Sequence, residues 1–179
     1  MNYNNVIKAI DKITDPEGLG MSPKRITVST SGVPKIIKKM ADEEVKFNLA
    51  VSLHSALDDV RTEIMPFNEQ MPLADLKEAL IYWYEKTGKR ITYEYVVWDG
   101  INDRQIDIDA LLDFCKAVPS KVNIIEYNPI DDGQFQQANP QAIDRYVDVL
   151  EANGVTVTVR RSRGKDIDAA CGQLSTKTS

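Results

Sequence analysis

The most reactive side chain in the sequence is a cysteine near its carboxyl end. Cys171 stands in the stretch DAACGQ, residues 168–173. A thiolate is a strong nucleophile and sulfur is polarizable, so a cysteine in this position suits covalent chemistry. Taken alone, such a residue is most often a free thiol in a terminal loop. The pattern by itself therefore favours a free thiol without a catalytic role.

Four positive charges precede this cysteine within six residues, at Arg160, Arg161, Arg163 and Lys165. A run of this kind is usually a solvated face. The alternative is contact with the phosphates of a nucleic-acid backbone. We favour phosphate contact as the hypothesis for these four residues.

Polar stretches follow the segments that are typical of strands. They are STSG at 29–32, SLHS at 52–55, WDG at 98–100 and YNP at 127–129. In βα folds the working residues lie at the carboxyl ends of the strands, so we expect these stretches to share one rim. Such a rim suits a ligand with a ribose and an amino-acid carboxylate. Glu94, inside a predicted strand, could join a barrel-interior network or contact substrate, and the sequence leaves both open.

Several of these residues also have purely structural interpretations. His54 could be an inert, hydrogen-bonded loop residue. Ser29 and Ser31 could cap the following helix. Cys115 ends the apolar stretch LLDFC, and we predict that it is a core residue without a catalytic role.

Composition narrows the classes of protein. The 179 residues carry a net charge of −5, so any RNA contact must come from a local patch. The two cysteines exclude a disulfide framework and are typical of a reducing compartment, and a single histidine argues against a His-based metal site. No apolar run is long enough to span a bilayer, and no signal peptide is recognisable. We therefore expect a cytoplasmic protein without a membrane partner.

The segments that must position these residues alternate between helix and strand. Period-two, β-branched segments predict strands at 25–30, 46–52, 90–97, 122–127 and 155–160. Helical spacing predicts helices around 6–13, 34–40, 73–87, 106–118 and 143–150. The connection 54–72 is too long for a simple turn. This order predicts a single α/β domain with a mostly parallel sheet, barrel-like or open.

In this order the strand ends resemble those of the RlmN/Cfr family of radical-SAM RNA methyltransferases. The matching segments are RITVSTSGVPKI, NLAVSLHSALDDVRTEIMPFN, ITYEYVVWDGIND, VNIIEYNP and VRRSRGKDIDAACGQL, which together cover nearly the whole chain. The resemblance implies a partial (βα) barrel of the radical-SAM type.

Two motifs of the family are not in this sequence. They are the CxxxCxxC loop after the family's first strand, whose thiolates hold a [4Fe–4S] cluster, and the Gly-Glu-Pro stretch after the second strand. The resemblance therefore implies that residues 1–179 are the C-terminal part of the barrel domain, lacking the first two strands. Residues 161–179 would be a C-terminal loop that carries the cysteine. No metal ligand is expected within the chain.

The resemblance also implies roles for individual residues. Five positions match the family's contacts to S-adenosylmethionine (SAM), namely Ser29, Ser52, Leu53, His54 and Asn128. Cys171 matches the cysteine that is S-methylated and passes the methyl group to the substrate.

The implied reaction uses two molecules of SAM and the [4Fe–4S] cluster. One SAM methylates the cysteine, and the second yields a 5′-deoxyadenosyl radical that activates the methyl group for addition to adenine. The implied partners are 23S rRNA, in some members tRNA, and an electron donor. The RlmN branch methylates carbon 2 of adenine and is the commoner one, so we favour it, while a Cfr-like carbon 8 enzyme is the alternative.

Two other classes of protein compete with this one. A non-catalytic RNA-binding or ligand-binding βα module would not need a nucleophilic cysteine. A barrel enzyme for a phosphorylated metabolite would be expected to have a Gly-rich phosphate loop, which the sequence lacks. Without its cluster the chain itself should be inactive, and its exposed barrel edge should favour self-association.

Overall fold

The computed structural model describes residues 2–128 and 135–161. Its helices are α1 Tyr3–Thr14, α2 Pro34–Asp42, α3 Asp58–Ile64, α4 Leu73–Thr87, α5 Gln105–Cys115 and α6 Pro140–Ala152. Its strands are β1 Thr27–Thr30, β2 Asn48–Ser52, β3 Ile91–Val97, β4 Ser120–Glu126 and β5 Thr156–Arg160. Short 3₁₀ turns lie at Pro23–Arg25 and Pro66–Glu69.

The five described strands form one parallel sheet in the order β1-β2-β3-β4-β5. Each strand pairs with the next strand along the chain. The register aligns Ser52 with Glu94 and Glu94 with Asn123. Sequential pairing of this kind is the arrangement of a (βα) barrel, and the predicted α/β fold with a parallel sheet is confirmed.

The two faces of the sheet differ sharply in polarity. One face packs against helices, and its side chains are at most 1% exposed; they are Leu49, Val51, Leu53, Ile91, Tyr93, Tyr95, Val97, Val122 and Ile124. The other face corresponds to the barrel interior. Successive side chains along each strand point to the two faces in turn, as the pleat requires. Ser29, Ser52, Glu94, Asn123 and Arg160 share it. The fold thus separates an apolar core from a polar inner face.

Helix α4 matches its predicted bounds, because its apolar spacing and its terminal glycine are both local signals. Leu76, Leu80 and Trp83 lie on one helical face and are almost completely buried. The helix ends at Gly88, which adopts the left-handed backbone conformation (φ 62°) that closes many helices.

The segment between β2 and α4 differs from the prediction of a plain connection. It contains the seven-residue helix α3 and the 3₁₀ turn at Pro66–Glu69. A helix this short gives almost no periodic signal. The 25–30 strand is also shorter than predicted, because Arg25 lies in the preceding 3₁₀ turn.

Cys115 is a core residue, as predicted. It is 6% exposed, and burial raises the pKa of its thiol to about 11. The thiol is therefore protonated and weakly nucleophilic. Among the described residues, no helix is both long and apolar enough to cross a bilayer.

Candidate functional site

A cavity of about 340 Å³ opens at the carboxyl ends of the strands. Each of the five strands, or the loop that follows it, contributes residues to the cavity wall. The lining residues are Ser29, Ser52, His54, Glu94, Val96, Ile125, Glu126, Tyr127, Asn128 and Arg160. This volume lies within the roughly 300–1,000 Å³ range of small-molecule sites.

The interior wall of this cavity carries a hydrogen-bonded carboxylate. Glu94 accepts a hydrogen bond from Nδ2 of Asn123 at 2.9 Å. Its second oxygen lies 3.5 Å from Nη1 of Arg160. The Glu94 side chain is 13% exposed, whereas that of Arg160 is 62% exposed. Glu94 therefore belongs to a network on the barrel interior, which is one of the two interpretations that the sequence left open.

His54 is held in an uncommon backbone conformation next to the cavity. Its φ is 59°, in the left-handed region that a non-glycine residue seldom occupies. Burial, followed by the positive charge of Arg61, lowers the imidazole pKa to about 4. The ring is therefore neutral near neutral pH. Such strain is maintained only where surrounding contacts fix the residue, and it is common at functional sites.

Asn102 supplies those contacts. Its side-chain amide donates to the carbonyl of His54 at 2.7 Å and to the carbonyl of Val96 at 2.8 Å. Its Oδ1 accepts from the backbone amide of Trp98 at 2.7 Å. Asn102 is fully buried. One side chain thus joins the loop after β2 to the end of β3, a role that the sequence reasoning missed.

A buried arginine lies at the ends of the first two strands. Arg61 is 0% exposed and donates to backbone carbonyls of the loops and strand ends around Ser31 and Leu53. Sequence reasoning missed this residue as well. Its position in a segment of the RlmN/Cfr resemblance is the signal that could have found it.

The structure brings together four of the five residues predicted to bind SAM. Ser29, Ser52, His54 and Asn128 all line the cavity. Leu53 does not, because its side chain points to the helix-covered face and is 0% exposed. The strand alternation explains this difference in position, since Ser52 and Leu53 are neighbours on opposite faces, and the predicted contact of Leu53 with SAM stays a prediction.

The predicted basic run is divided by the structure. Arg160 lines the cavity beside Glu94. Arg161 lines a separate depression next to α6, together with Val159 and Asp144. Three further predicted residues lie outside the described residues, namely Arg163, Lys165 and Cys171.

Within residues 2–128 and 135–161, no group of three or more His, Cys, Asp or Glu side chains is arranged to hold a metal ion. The cavity offers hydroxyls, a neutral imidazole, a side-chain amide, two carboxylates and a guanidinium. These groups can hydrogen-bond hydroxyl, amino and carboxylate groups of one small ligand.

Comparisons with known proteins show which proteins this chain is similar to. No protein-family model matches the chain. A protein of Christiangramia forsetii named "probable dual-specificity RNA methyltransferase RlmN" is 72% identical over 178 residues, which are 99% of this chain and 51% of the relative. A relative of the same name from Flavobacterium psychrophilum is 71% identical over 177 residues, with the same shares.

A solved structure gives the same result. The radical SAM methyltransferase of Sphaerobacter thermophilus superimposes with a TM-score of 0.91 and 38% identity, over 96% of this chain and 50% of that one. The fold of this chain is thus the fold of the matching half of that radical SAM methyltransferase. Over almost its whole length the chain is similar to the RlmN proteins, and the predicted resemblance is confirmed. The chain spans about half the length of the curated relatives it matches.

Proposed function

We propose that the chain forms part of the SAM-binding barrel of an RNA methyltransferase that modifies carbon 2 of adenine in 23S rRNA and in tRNA. One observation carries this proposal. The residues Ser29, Ser52, His54 and Asn128, which match the family's SAM contacts, are far apart in sequence and meet in one cavity. The name of the relatives, which describes dual-specificity RNA methyltransferases, supports the substrate class.

The described residues fit SAM in charge and in polarity. SAM presents an amino group, a carboxylate and ribose hydroxyls. The hydroxyls of Ser29 and Ser52 can donate and accept hydrogen bonds. The carboxylate of Glu94 and the guanidinium of Arg160 are complementary to an amino and a carboxylate group, respectively. Asn128, which is 3% exposed at the cavity wall, is the proposed contact to the adenosine.

The [4Fe–4S] cluster would be bound by cysteines of the half that the relatives have in addition to this chain. One SAM molecule would supply the methyl group, and a second, cleaved with an electron that a donor protein delivers to the cluster, would supply the radical that activates it. The contribution of the described residues is to orient SAM and to exclude water from its inner face.

Cys171 is the proposed methyl carrier. It is one of two cysteines in the chain, and it lies outside the described residues. The other cysteine, Cys115, is buried, and burial raises the pKa of its thiol, which disfavours the thiolate. The match of DAACGQ to the family supports Cys171 as the nucleophile.

The basic residues around the end of β5 are proposed to contact RNA. Arg161 lies on the far side of the strand end from the cavity and is exposed. We assign phosphate contact to Arg161, Arg163 and Lys165. Arg160 instead lines the proposed SAM cavity. It would contact RNA only where the substrate nucleotide enters the mouth of this cavity.

The test is a chimera in which this chain replaces the matching half of the C. forsetii relative. The chimera, reconstituted anaerobically, is incubated with SAM, a reductant and unmodified 23S rRNA fragments, and nucleosides are identified by mass spectrometry. We expect 2-methyladenosine. Absence of product from a chimera with an intact cluster, or formation of 8-methyladenosine, would contradict the proposal.

Two controls sharpen this assay. The variant Cys171→Ser should form no product, whereas Cys115→Ser should retain activity because that thiol is a core residue. The 179-residue chain alone should also be inactive. Product formed by the chain alone would show that the cluster-binding half is dispensable.

A further inference from the structure

A single buried guanidinium links the ends of two strands that wall the cavity. Nε of Arg61 donates to the carbonyl of Leu53 at 3.1 Å. Nη2 donates to the carbonyl of Ser31 at 2.8 Å and lies 3.5 Å from the carbonyl of Ser52. Ser31 follows β1, while Ser52 ends β2. The contacts therefore bridge the two chain segments that carry the serine hydroxyls of the site.

The remaining arm of Arg61 joins a second set of buried polar groups. Nη1 donates to Oδ1 of Asn68 at 2.5 Å. The amide of Asn68 donates to Oδ1 of Asp58 at 2.9 Å, and the same oxygen accepts the backbone amide of Leu73 at the start of α4. Arg61 and Asn68 are 0% and 1% exposed. The strand ends are thus fixed to α3, to the 3₁₀ turn and to α4.

The residue next to this guanidinium is a glycine, which has no side chain to crowd it. A Cβ atom at Gly32 would lie 3.4 Å from Nη2 of Arg61 and 3.2 Å from Cδ1 of Leu76. Gly32 also has a φ of 99°, which side chains rarely allow. Any side chain at position 32 would therefore contact the guanidinium and crowd Leu76.

A buried guanidinium is costly to remove from water unless its donors are hydrogen-bonded, and here all three nitrogens have acceptors. What an arginine adds is a rigid planar fork that addresses several acceptors at fixed mutual positions, which a lysine cannot do. Three of the acceptors of Arg61 are main-chain carbonyls at the rim of the cavity.

We propose that Arg61 is a positioning residue of the SAM cavity, which holds the carboxyl ends of β1 and β2 at a fixed separation and so places the hydroxyls of Ser29 and Ser52 and the imidazole of His54. This inference deepens the proposed function and rests on it for the identity of the ligand. Arg61 does not line the cavity and acts only through the segments that it holds.

The electrostatic influence of Arg61 reaches His54 as well. After burial, the charge of Arg61 is the second cause of the lowered imidazole pKa. Since the chain has a single histidine, its imidazole gives one unambiguous NMR signal. That signal reports the position and charge of Arg61 independently of SAM or RNA.

The experiment compares Arg61→Lys and Arg61→Met in the 179-residue chain, with Lys89→Met as the matched control. Lys89 is also a partly buried cation that donates to two main-chain carbonyls, those of Val45 and Phe47, but at the opposite end of β2. Hydrogen exchange of the amides of Leu53 and Val96 is measured relative to that of Ile91, which is bonded to Pro119 at that opposite end.

We expect both Arg61 variants to raise the exchange rate of Leu53 and Val96 relative to Ile91 by about tenfold or more, the factor for one lost charge-assisted hydrogen bond. Arg61→Met should in addition raise the pKa of His54, while Arg61→Lys should not. Lys89→Met should leave these relative rates and the His54 signal unchanged. Wild-type relative exchange rates of Leu53 and Val96 in Arg61→Lys, or an unchanged His54 pKa in Arg61→Met, would overturn the proposal.

A measurement on the unmodified chain covers the case in which the variants do not fold. The Nε–H of Arg61 should exchange slowly with solvent, because it is buried and bonded to Leu53. Rapid exchange of this proton in the folded chain would overturn the proposal. None of these readouts involves methyl transfer, so their failure is distinguishable from failure of the proposed function.

Discussion

Nδ1 of His54 accepts a hydrogen bond from the backbone amide of Val96 at 3.1 Å. A neutral imidazole that accepts at Nδ1 carries its proton on Nε2. The ring also packs edge-on against Trp98, with 5.7 Å between the centroids. His54 is therefore a neutral hydrogen-bond donor of fixed orientation at the cavity wall, and it is held there by the strand next to its own.

The first prediction concerns pH. The folded-state pKa of His54 lies below its unfolded value, so the stability it contributes is present above about pH 6.5 and is lost as the pH falls towards about 4. Urea unfolding of the chain should show a decreasing free energy over this range. In His54→Gln the decrease should be smaller, because the contribution of the histidine is gone. It should not be zero, because the other groups still titrate. An equal decrease in both proteins would contradict the lowered pKa.

The second prediction concerns Asn102, which forms three buried hydrogen bonds to backbone groups. Asn102→Ala should lower the free energy of unfolding by about 1–3 kcal/mol, because buried donors and acceptors lose their partner. The control is Asn153→Ala, since Asn153 makes an exposed bond to Val149. Equal effects in thermal denaturation would show that the buried bonds are unimportant.

The third prediction separates two adjacent arginines. In the chimera, Arg161→Ala should weaken RNA binding and reduce its salt dependence by about one counterion, without affecting SAM binding. Arg160→Ala should weaken SAM binding, because its guanidinium lies in the cavity. It should change stability by less than about 1 kcal/mol, since the ion pair with Glu94 is largely exposed on the Arg160 side. If binding titrations showed that Arg161→Ala weakens SAM binding and Arg160→Ala weakens RNA binding, the two proposed roles would be wrong.

The fourth prediction concerns assembly. β1 and β5 are the edges of the sheet in the part of the chain that the structure describes, and the polar inner face is open. An edge strand offers its backbone groups to another chain. Light scattering should therefore detect a dimer or larger species of the chain at high concentration, and a monomer for the chimera. A strictly monomeric chain would contradict this expectation.

Sequence reasoning found the features that depend on local pattern. Alternating and helical spacing predicted the five strands and the bounds of α4, and the polar residues after the strands predicted the rim. The family resemblance grouped Leu53 with Ser52, and the structure places the Leu53 side chain in the core, on the face opposite the cavity. The face that a residue occupies follows from register, which local pattern fixes only when the sheet pairing is known.

The contacts of Asn102 and Arg61 were beyond sequence reasoning, because they join residues far apart in the chain. Asn102 bonds to a carbonyl 48 positions away, and Arg61 to one 30 positions away. Helix α3 was missed for a related reason. Its seven residues are too few to be stable by propensity, and the buried bonds of Arg61 hold it in place.

Peptide mass spectrometry of Cys171 tests whether this cysteine is the methyl carrier of an RlmN-type enzyme, as proposed. Trypsin should release residues 166–177 from the anaerobically purified chimera and from the chain alone. We predict that this peptide is one methyl group heavier in the chimera only. An unmodified Cys171 in a chimera with an intact cluster and ample SAM would contradict the account.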